Sequence, residues 1–522
     1  MTTQQLPERP NLEQLKGQAK DLLRSAQQKE PTALARMQAL PAFTKKTEEE
    51  RARLALRLHD AQSVIAREYG FNSWNALRER VEELTLQFDE AVTEFVQAAT
   101  DGRTTRAERL LALYPRIAHA NLHAALVLGK VESVLAALKD NPGLALQRGG
   151  PREWEPLLYV CHSSLAHSQA ANRDEFAQIA RRLLTLGADP NTRYPWLHHR
   201  VQRAALWGAT CVTRLLPLAQ ALLEAGANPN DGVTLTLAAS GGNLPVLELL
   251  LAHGADVNFP WATDGSSPLC AMLEWSADAK GALWLLEHRA DPNRVCGAAQ
   301  ETALHVAARR WDVKLVEALV HHGADIAARR GDGRTAYVLA ELNGNDAIAE
   351  WLLTHHAPRE ISEVDRFVGA CSRGDRTTAE AMFAARPGLR AEITTEHHAA
   401  LRRAAEHDDT RALETMLACG FDVNAGDEIG STALHRAAMA GRPEAVRLLL
   451  AHGASVTLRD REFHAQPLVW AAEGSRNSDG LRDYAKVARL LIDAGSPTDW
   501  QAGEEPAEAM LEILAEWQRP QT

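Results

Sequence analysis

The residues best suited to chemistry in this 522-residue sequence are four pairs of adjacent histidines, His198–His199, His321–His322, His355–His356 and His397–His398. Imidazole is a common metal ligand and the one side chain that titrates near neutral pH. Neighbours in sequence point to different faces of a helix, however, so an adjacent pair does not hold one ion by itself. The six cysteines, Cys161, Cys211, Cys270, Cys296, Cys371 and Cys419, lie far apart with no C-x-x-C pair. That spacing argues against a zinc knuckle or a redox motif and for free thiols in a reducing compartment. Glycine loops that cradle phosphate and the G-x-S-x-G nucleophile elbow are both missing from the sequence. Asp and Glu are scattered through candidate turns, their ordinary place. No catalytic, cofactor-binding or metal-binding residue is assigned.

The elements that would have to position any site repeat along the chain. A five-residue phrase occurs as GADPN (187–191), GANPN (226–230), GADVN (254–258), RADPN (289–293), GADIA (323–327), GFDVN (420–424) and GASVT (453–457). Its spacing clusters around one or a few units of roughly 33 residues. An apolar run such as VLELLLAH (246–253), LVEALVHH (315–322) or AVRLLLAH (445–452) precedes it, with leucines at the spacing of one helical face. A second phrase comes earlier still, ETALHVAA (301–308) and STALHRAA (431–438). Thr302 and Thr432 are placed to cap a first helix, the paired alanines let two helices approach, and the glycine ends the second helix in a left-handed conformation. No such unit can bury its leucines alone, so stacking is required.

These two phrases together resemble the ankyrin repeat over roughly residues 90 to 500. The resemblance implies an all-α solenoid of stacked helix pairs with projecting turn fingers, and a role in gripping other proteins. It also implies that residues flanking the paired alanines face a concave groove, which places Tyr159, Arg203, Trp207, Trp275 and the pair Arg309–Arg310 there, with Arg436 and Trp470 further along. Two finger phrases, Tyr194-Pro195-Trp196 and Phe259-Pro260-Trp261, add Trp196 and Trp261 as exposed candidates. Trp, Tyr and Arg are the types that dominate interface energetics. Several repeats depart from the pattern. An insertion lies near 163–176, the finger at 192–200 is replaced by TRYPWLHHR, and a further insertion occupies 473–484.

The segment FVQAATDGRTTRAERLLALYP (95–115) aligns without a gap with FVGACSRGDRTTAEAMFAARP (367–387), which predicts two ankyrin modules, 87–358 and 359–522, each opening with a divergent helix pair. One continuous solenoid is the alternative. Residues 1–86 carry no repeat phrase and are expected to form a small helical bundle in front. Ala66 and Gly70 are spaced as in a helix-turn-helix, but Glu79, Glu82 and Glu83 stand beside Arg78 and Arg80, a poor complement to phosphate. The net charge of −11 also disfavours nucleic acid as the main partner. No apolar stretch is long enough to span a membrane and the first residues lack a leader pattern, so a cytoplasmic protein is expected. The expected function is a non-enzymatic scaffold that binds a protein partner along the groove. The alternative is a small-molecule binder or unorthodox enzyme built on the irregular repeats at 150–210, where Cys161, His162, His198 and His199 gather.

Overall fold

The computed structural model describes residues 4–7, 9–38, 56, 58–71, 74–169, 171, 173–196, 201–262, 264–276, 278–476 and 483–497. Its contacts divide the chain into two compact units, one made of residues 1–85, 341–344 and 361–522 and the other of residues 86–340 and 345–360. In both, the architecture is short antiparallel helix pairs stacked on one another. Among the described residues the one sheet is the two-stranded antiparallel hairpin of β1 (Arg193–Trp196) and β2 (Val201–Ala204).

In the unit of residues 86–340 and 345–360, the pairs Thr234–Ser240 with Leu244–Ala252, Pro268–Trp275 with Lys280–Glu287, and Ala303–Arg310 with Val313–His321 follow in order. Burial falls where the leucine spacing puts it: Val246, Leu247 and Leu250 in one second helix, Leu315, Val316 and Leu319 in another. The first helices are thin. Ala307 and Ala308 are fully buried and let the next pair approach. At Gly281 the approach is closer still, since a methyl group there would run into the backbone carbonyl of Ala239. Alanine would raise helix propensity at this position by about 1 kcal/mol, but the clash is with rigid backbone and outweighs it. Gly281→Ala is expected to lower stability by about 2 kcal/mol, read as a shift in urea midpoint. An unchanged or higher midpoint would show that the two helices are free to separate.

The T-A-L-H histidines join successive repeats. The backbone N–H and the hydroxyl of Thr302 both donate to Nδ1 of His305, whose Nε2 lies 3.2 Å from the carbonyl oxygen of Arg334 in the next finger. His435 repeats this with Thr432 and the carbonyl of Ala465. With Nδ1 accepting, Nε2 must carry the proton, so each ring is neutral and donates across the junction.

The asparagine closing each five-residue phrase does the same work at the fingers. Asn293 donates from Nδ2 to the carbonyl of Gly323 (2.8 Å) and accepts at Oδ1 from the N–H of Asp325 (2.7 Å). Asn191, Asn230 and Asn258 make the same two bonds to the turn that follows them, and Asn424 does so in the other unit. The ladder stops at residue 327, where alanine brings no amide and the next donor position, Pro358, has no N–H to offer. Asn293→Ala is expected to cost about 1 kcal/mol, since two solvent-exposed hydrogen bonds of modest net worth are lost. Hydrogen exchange at Gly323 to Asp325 should speed up in that variant, and unchanged exchange there would argue against the ladder as a stabilising feature.

Residues 361–497 build the other unit's repeats, with His398–His407, Thr410–Ala418, Ala433–Met439, Pro443–Ala451, Pro467–Arg476 and Tyr484–Asp493 in antiparallel succession. In the same unit the N-terminal helices Leu12–Gln27, Pro31–Gln38, Leu58–Glu68 and Trp74–Thr85 enclose a core that includes Leu15, Leu22, Ile65, Leu77 and Val81. Tyr69, Phe71 and Trp74 pack half-buried against it. Arg80 pairs with the buried Glu83. The cysteines depart from the expectation of six free thiols. Cys270 and Cys296 form a disulfide between a first helix and the following finger, with their Cα atoms 6.6 Å apart, and Cys371 is hydrogen-bonded to Cys419. Repeats that stack bring together residues far apart in sequence, a pairing that spacing alone does not reveal.

Candidate functional site

Two surfaces carry the chemistry-bearing side chains, and each lies within one compact unit. In the unit of residues 86–340 and 345–360, Arg309 donates to Glu274 (2.5 Å) and to Glu301 (2.7 Å). Arg310 donates to the backbone carbonyl of Glu274. Glu301 also accepts from Arg330 at 2.6 Å, and Arg330 pairs on with Asp332. Arg330 and Glu301 are both under a tenth exposed. Burial opposes ionisation of Asp332, but hydrogen bonds from Arg330 and Arg334 outweigh it and hold this carboxyl well below its usual range. These arginines are therefore held in fixed directions by acceptors from neighbouring repeats. Beside them a recess of about 590 Å³ is lined by Asp278, Ala279, Arg310, Trp311 and Asp312.

In the other unit, Arg436 lies over the ring of Trp470 at 5.5 Å and bonds Asp427 at 3.0 Å. The indole N–H of Trp470 donates to Asp460. Arg436 and Trp470 are both half-buried, so a face of each remains open to solvent.

The irregular repeats contain a third arrangement. Residues 149–154 form a finger closed by a bridge between Gly149 and Trp154, followed by the short helix Pro156–Cys161. Tyr159 is fully buried and uses its hydroxyl within that finger, donating to the carbonyl of Gly149 and accepting from the N–H of Arg152. Gly150, at φ +70°, lies so close to Tyr159 and His123 that any side chain there would collide with both. In the β1–β2 hairpin Tyr194 stands opposite Arg203, on the same face. The chain then enters the helix Ala205–Trp207 and a wide π-helical turn, Gly208–Val212. Thr210 and Thr213 bond back to the carbonyls of Leu206 and Ala209, the kind of side-chain competition that opens a helical turn. A Cβ at Gly208 would lie 2.6 Å from the ring of His162.

These pieces assemble an aromatic cluster. Trp154 lies 4.3 Å from Tyr194 and 5.6 Å from His162, and His162 stacks on Trp207 at 5.7 Å. The Arg203 guanidinium sits 4.0 Å over Trp207, and burial, partly offset by a hydrogen bond to Tyr194, lowers its pKa. Burial also pushes the His162 pKa down to about 3. Trp207 and Trp261 share a small buried core with Val233 and Ala271, so both are chiefly covered rather than exposed. The side chains of Trp196 and Trp275 and all of His198 and His199 lie outside the described residues. The remaining histidine pairs diverge. His397 is buried against Asp365 (2.9 Å) while His398 bonds the carbonyl of Thr394, and His355 stacks on Trp351. Among the described residues no three His, Cys, Asp or Glu side chains converge as a metal site would require. No described helix is long and apolar enough to cross a membrane.

The carboxylate hub at Glu301, the His397–Asp365 pair and the Trp154–Tyr194–His162 cluster were not found from sequence, because each joins residues from different repeats. The opposite charges of Glu301 and Asp332 against Arg309 and Arg330, one repeat apart, are the one sequence signal that could have found the first of them.

Comparison with known proteins follows the repeats. A family profile described as ankyrin repeats (3 copies) matches residues 269–365 and 369–499, and a single ankyrin repeat profile matches 234–261. The chain is similar to ankyrin repeat and SOCS box protein 11 of Danio rerio, 35% identical over 117 residues that cover 22% of this chain and 38% of that protein. It is also similar to the putative ankyrin repeat protein YahD of Escherichia coli (strain K12), 29% identical over 37% of this chain and 94% of that protein. An L-asparaginase of Dirofilaria immitis matches at 28% identity over 33% of this chain and 30% of that enzyme. Among solved structures, the human ASB11 ankyrin repeat domain aligns at 21% identity, covering 50% of this chain and 98% of that one, with a TM-score of 0.22. The chain spans well under half the length of the zebrafish and filarial relatives.

Proposed function

We propose that this chain, an all-α ankyrin-repeat solenoid, is a non-enzymatic cytoplasmic scaffold that binds a partner protein through its groove-side arginines and aromatics. Two modules would provide the surface, 87–358 and 359–522, as the internal duplication suggests. The observation that carries this reading is the state of the groove cations. Arg309 and Arg436 are half-buried and Arg310 is exposed; all three are held by internal partners and still present donors to solvent. An arginine already fixed in direction loses little conformational freedom when a partner's carboxylate or carbonyl meets it. Trp470, with one face open beside Arg436, supplies apolar contact area at low entropic cost.

The test is affinity capture from the native host with wild type, Arg310→Ala and Arg436→Ala, with captured proteins identified by cross-linking mass spectrometry. One protein recovered with wild type and at least tenfold less with either variant is expected, since a buried charged contact is worth about 2 kcal/mol or more. Equal recovery of a cross-linked partner in all three would reject this surface. A cytoplasmic location further predicts that Cys270 and Cys296 are found partly as free thiols in protein alkylated inside the cell.

A further inference from the structure

The aromatic cluster of the irregular repeats contains two polar atoms that nothing among the described residues satisfies. Nδ1 of His162 lies 3.0 Å from the carbonyl oxygen of Leu158 and so carries the proton, which leaves Nε2 as a bare acceptor. That Nε2 has no hydrogen-bond partner, and neither has the indole Nε1–H of Trp207, a donor. Both residues are more than nine-tenths buried, His162 at 1% exposure and Trp207 at 7%. Each unpaired group costs about 1–3 kcal/mol. One such atom is an ordinary imperfection, but an acceptor and a donor on two rings that stack on each other are complementary to a single guest.

The surroundings are aromatic and polar, unlike the alanine and leucine of a regular repeat interface. Trp154 and Tyr194 pack on His162, Arg203 covers Trp207, and the helix bearing Trp207 runs straight into a π-helical turn, a feature concentrated at functional sites. Trp154, Tyr159, His162 and Trp207 are closed off, whereas Tyr194 and Arg203 keep partial exposure, so access runs past these two hairpin residues.

We propose that this cluster binds one small uncharged molecule that presents a hydrogen-bond donor and an acceptor side by side, as a carboxamide does. The donor meets His162 Nε2 and the acceptor meets the indole N–H of Trp207. Charge decides the class. A carboxylate brings no donor to the His162 lone pair, and an ammonium brings no acceptor to Trp207 and faces the Arg203 cation. The site is independent of the groove arginines to which the partner protein is assigned.

Acetamide, acetate and methylammonium are the probes, titrated into the full ¹⁵N-labelled chain. The Trp207 indole cross-peak is identified by its loss in Trp207→Phe. A saturable shift of that peak with acetamide and none with either ion is expected, together with a roughly tenfold weaker acetamide response in His162→Phe, the equivalent of one hydrogen bond of about 1.4 kcal/mol. The wild-type titrations decide the matter if either variant fails to fold. Absence of a saturable acetamide shift, equal shifts with all three probes, or a crystal soaked in acetamide that shows only an ordered water between the two rings would each overturn the proposal.

Discussion

Glu301→Ala lowers the stability of the unit containing residues 86–340 by about 3 kcal/mol. Glu301 accepts from Arg330 through one carboxylate oxygen and from Arg309 through the other, and Arg330 is only 6% exposed. Removing one partner of a buried ion pair is costly because the remaining charge stays out of water, typically 3–5 kcal/mol. The lower end applies here, since Arg330 keeps Asp332 and Arg309 keeps Glu274. Glu301→Gln retains the shape and one acceptor but not the charge, and should recover roughly half of the loss. Urea unfolding followed by tryptophan fluorescence measures both variants. A cost below about 1 kcal/mol for Glu301→Ala would place the network with exposed surface pairs, which contribute little.

Acidification is expected to destabilise the same unit before its carboxylates are fully protonated. The pKa of His162 is pushed down to about 3 in the folded chain by burial, against 6.5 when unfolded. Above pH 6.5 both states are neutral at this ring and stability is complete. As pH falls below 6.5 the unfolded chain takes up a proton that the folded chain refuses, so stability declines until the folded pKa is reached. At pH 4.5, two units below the unfolded value, His162 alone accounts for about 2.7 kcal/mol. Burial lowers the pKa of His123 and His305 in the same direction, and of His398 and His435 in the other unit. The loss between pH 7.5 and 4.5, read from urea midpoints, should shrink by about 2–3 kcal/mol in His162→Phe, which keeps the ring but cannot be protonated. An identical pH dependence in wild type and variant would mean that His162 is solvated and protonates freely in the folded state.

The acid prediction and the small-molecule proposal share one origin, the burial of a histidine at the edge of an irregular repeat. In the regular repeats the T-A-L-H ring is neutral too, but it is satisfied: His305 and His435, at a different repeat position, have partners at both nitrogens. His162 follows an alanine-poor helix, Pro-Leu-Leu-Tyr-Val-Cys, and faces the hairpin that replaces the normal finger, so its second nitrogen has no carbonyl to meet. Departures from the repeat pattern are where unsatisfied chemistry accumulates, because the regular pattern is what satisfies it.

Local signals in the sequence determined the helix pairs. Leucine periodicity, alanine pairs, Thr302 and Thr432 before their helices and a glycine after many of the second helices all act within a few residues, and an array that contacts only near neighbours needs little else. The same signals marked residues 150–210 as irregular and 1–86 as a separate kind of helical segment. The closing asparagine of the repeat phrase was visible as a turn residue, but its role as a rung between fingers was not, since both of its bonds go to the next repeat. Candidate site residues were less legible. Arg309, Arg436 and Trp470 lie half-buried and Arg310 exposed, all with internal partners, whereas Tyr159, Trp207 and Trp261 are buried against residues of other repeats. Only the tertiary structure decided those outcomes, together with the Cys270–Cys296 pairing and the meeting of Trp154, His162, Tyr194 and Trp207. The physical reason is one of range. A helix and its caps are specified by bonds spanning four residues, but exposure, ion pairing and an unsatisfied nitrogen depend on what the neighbouring repeats place against a side chain.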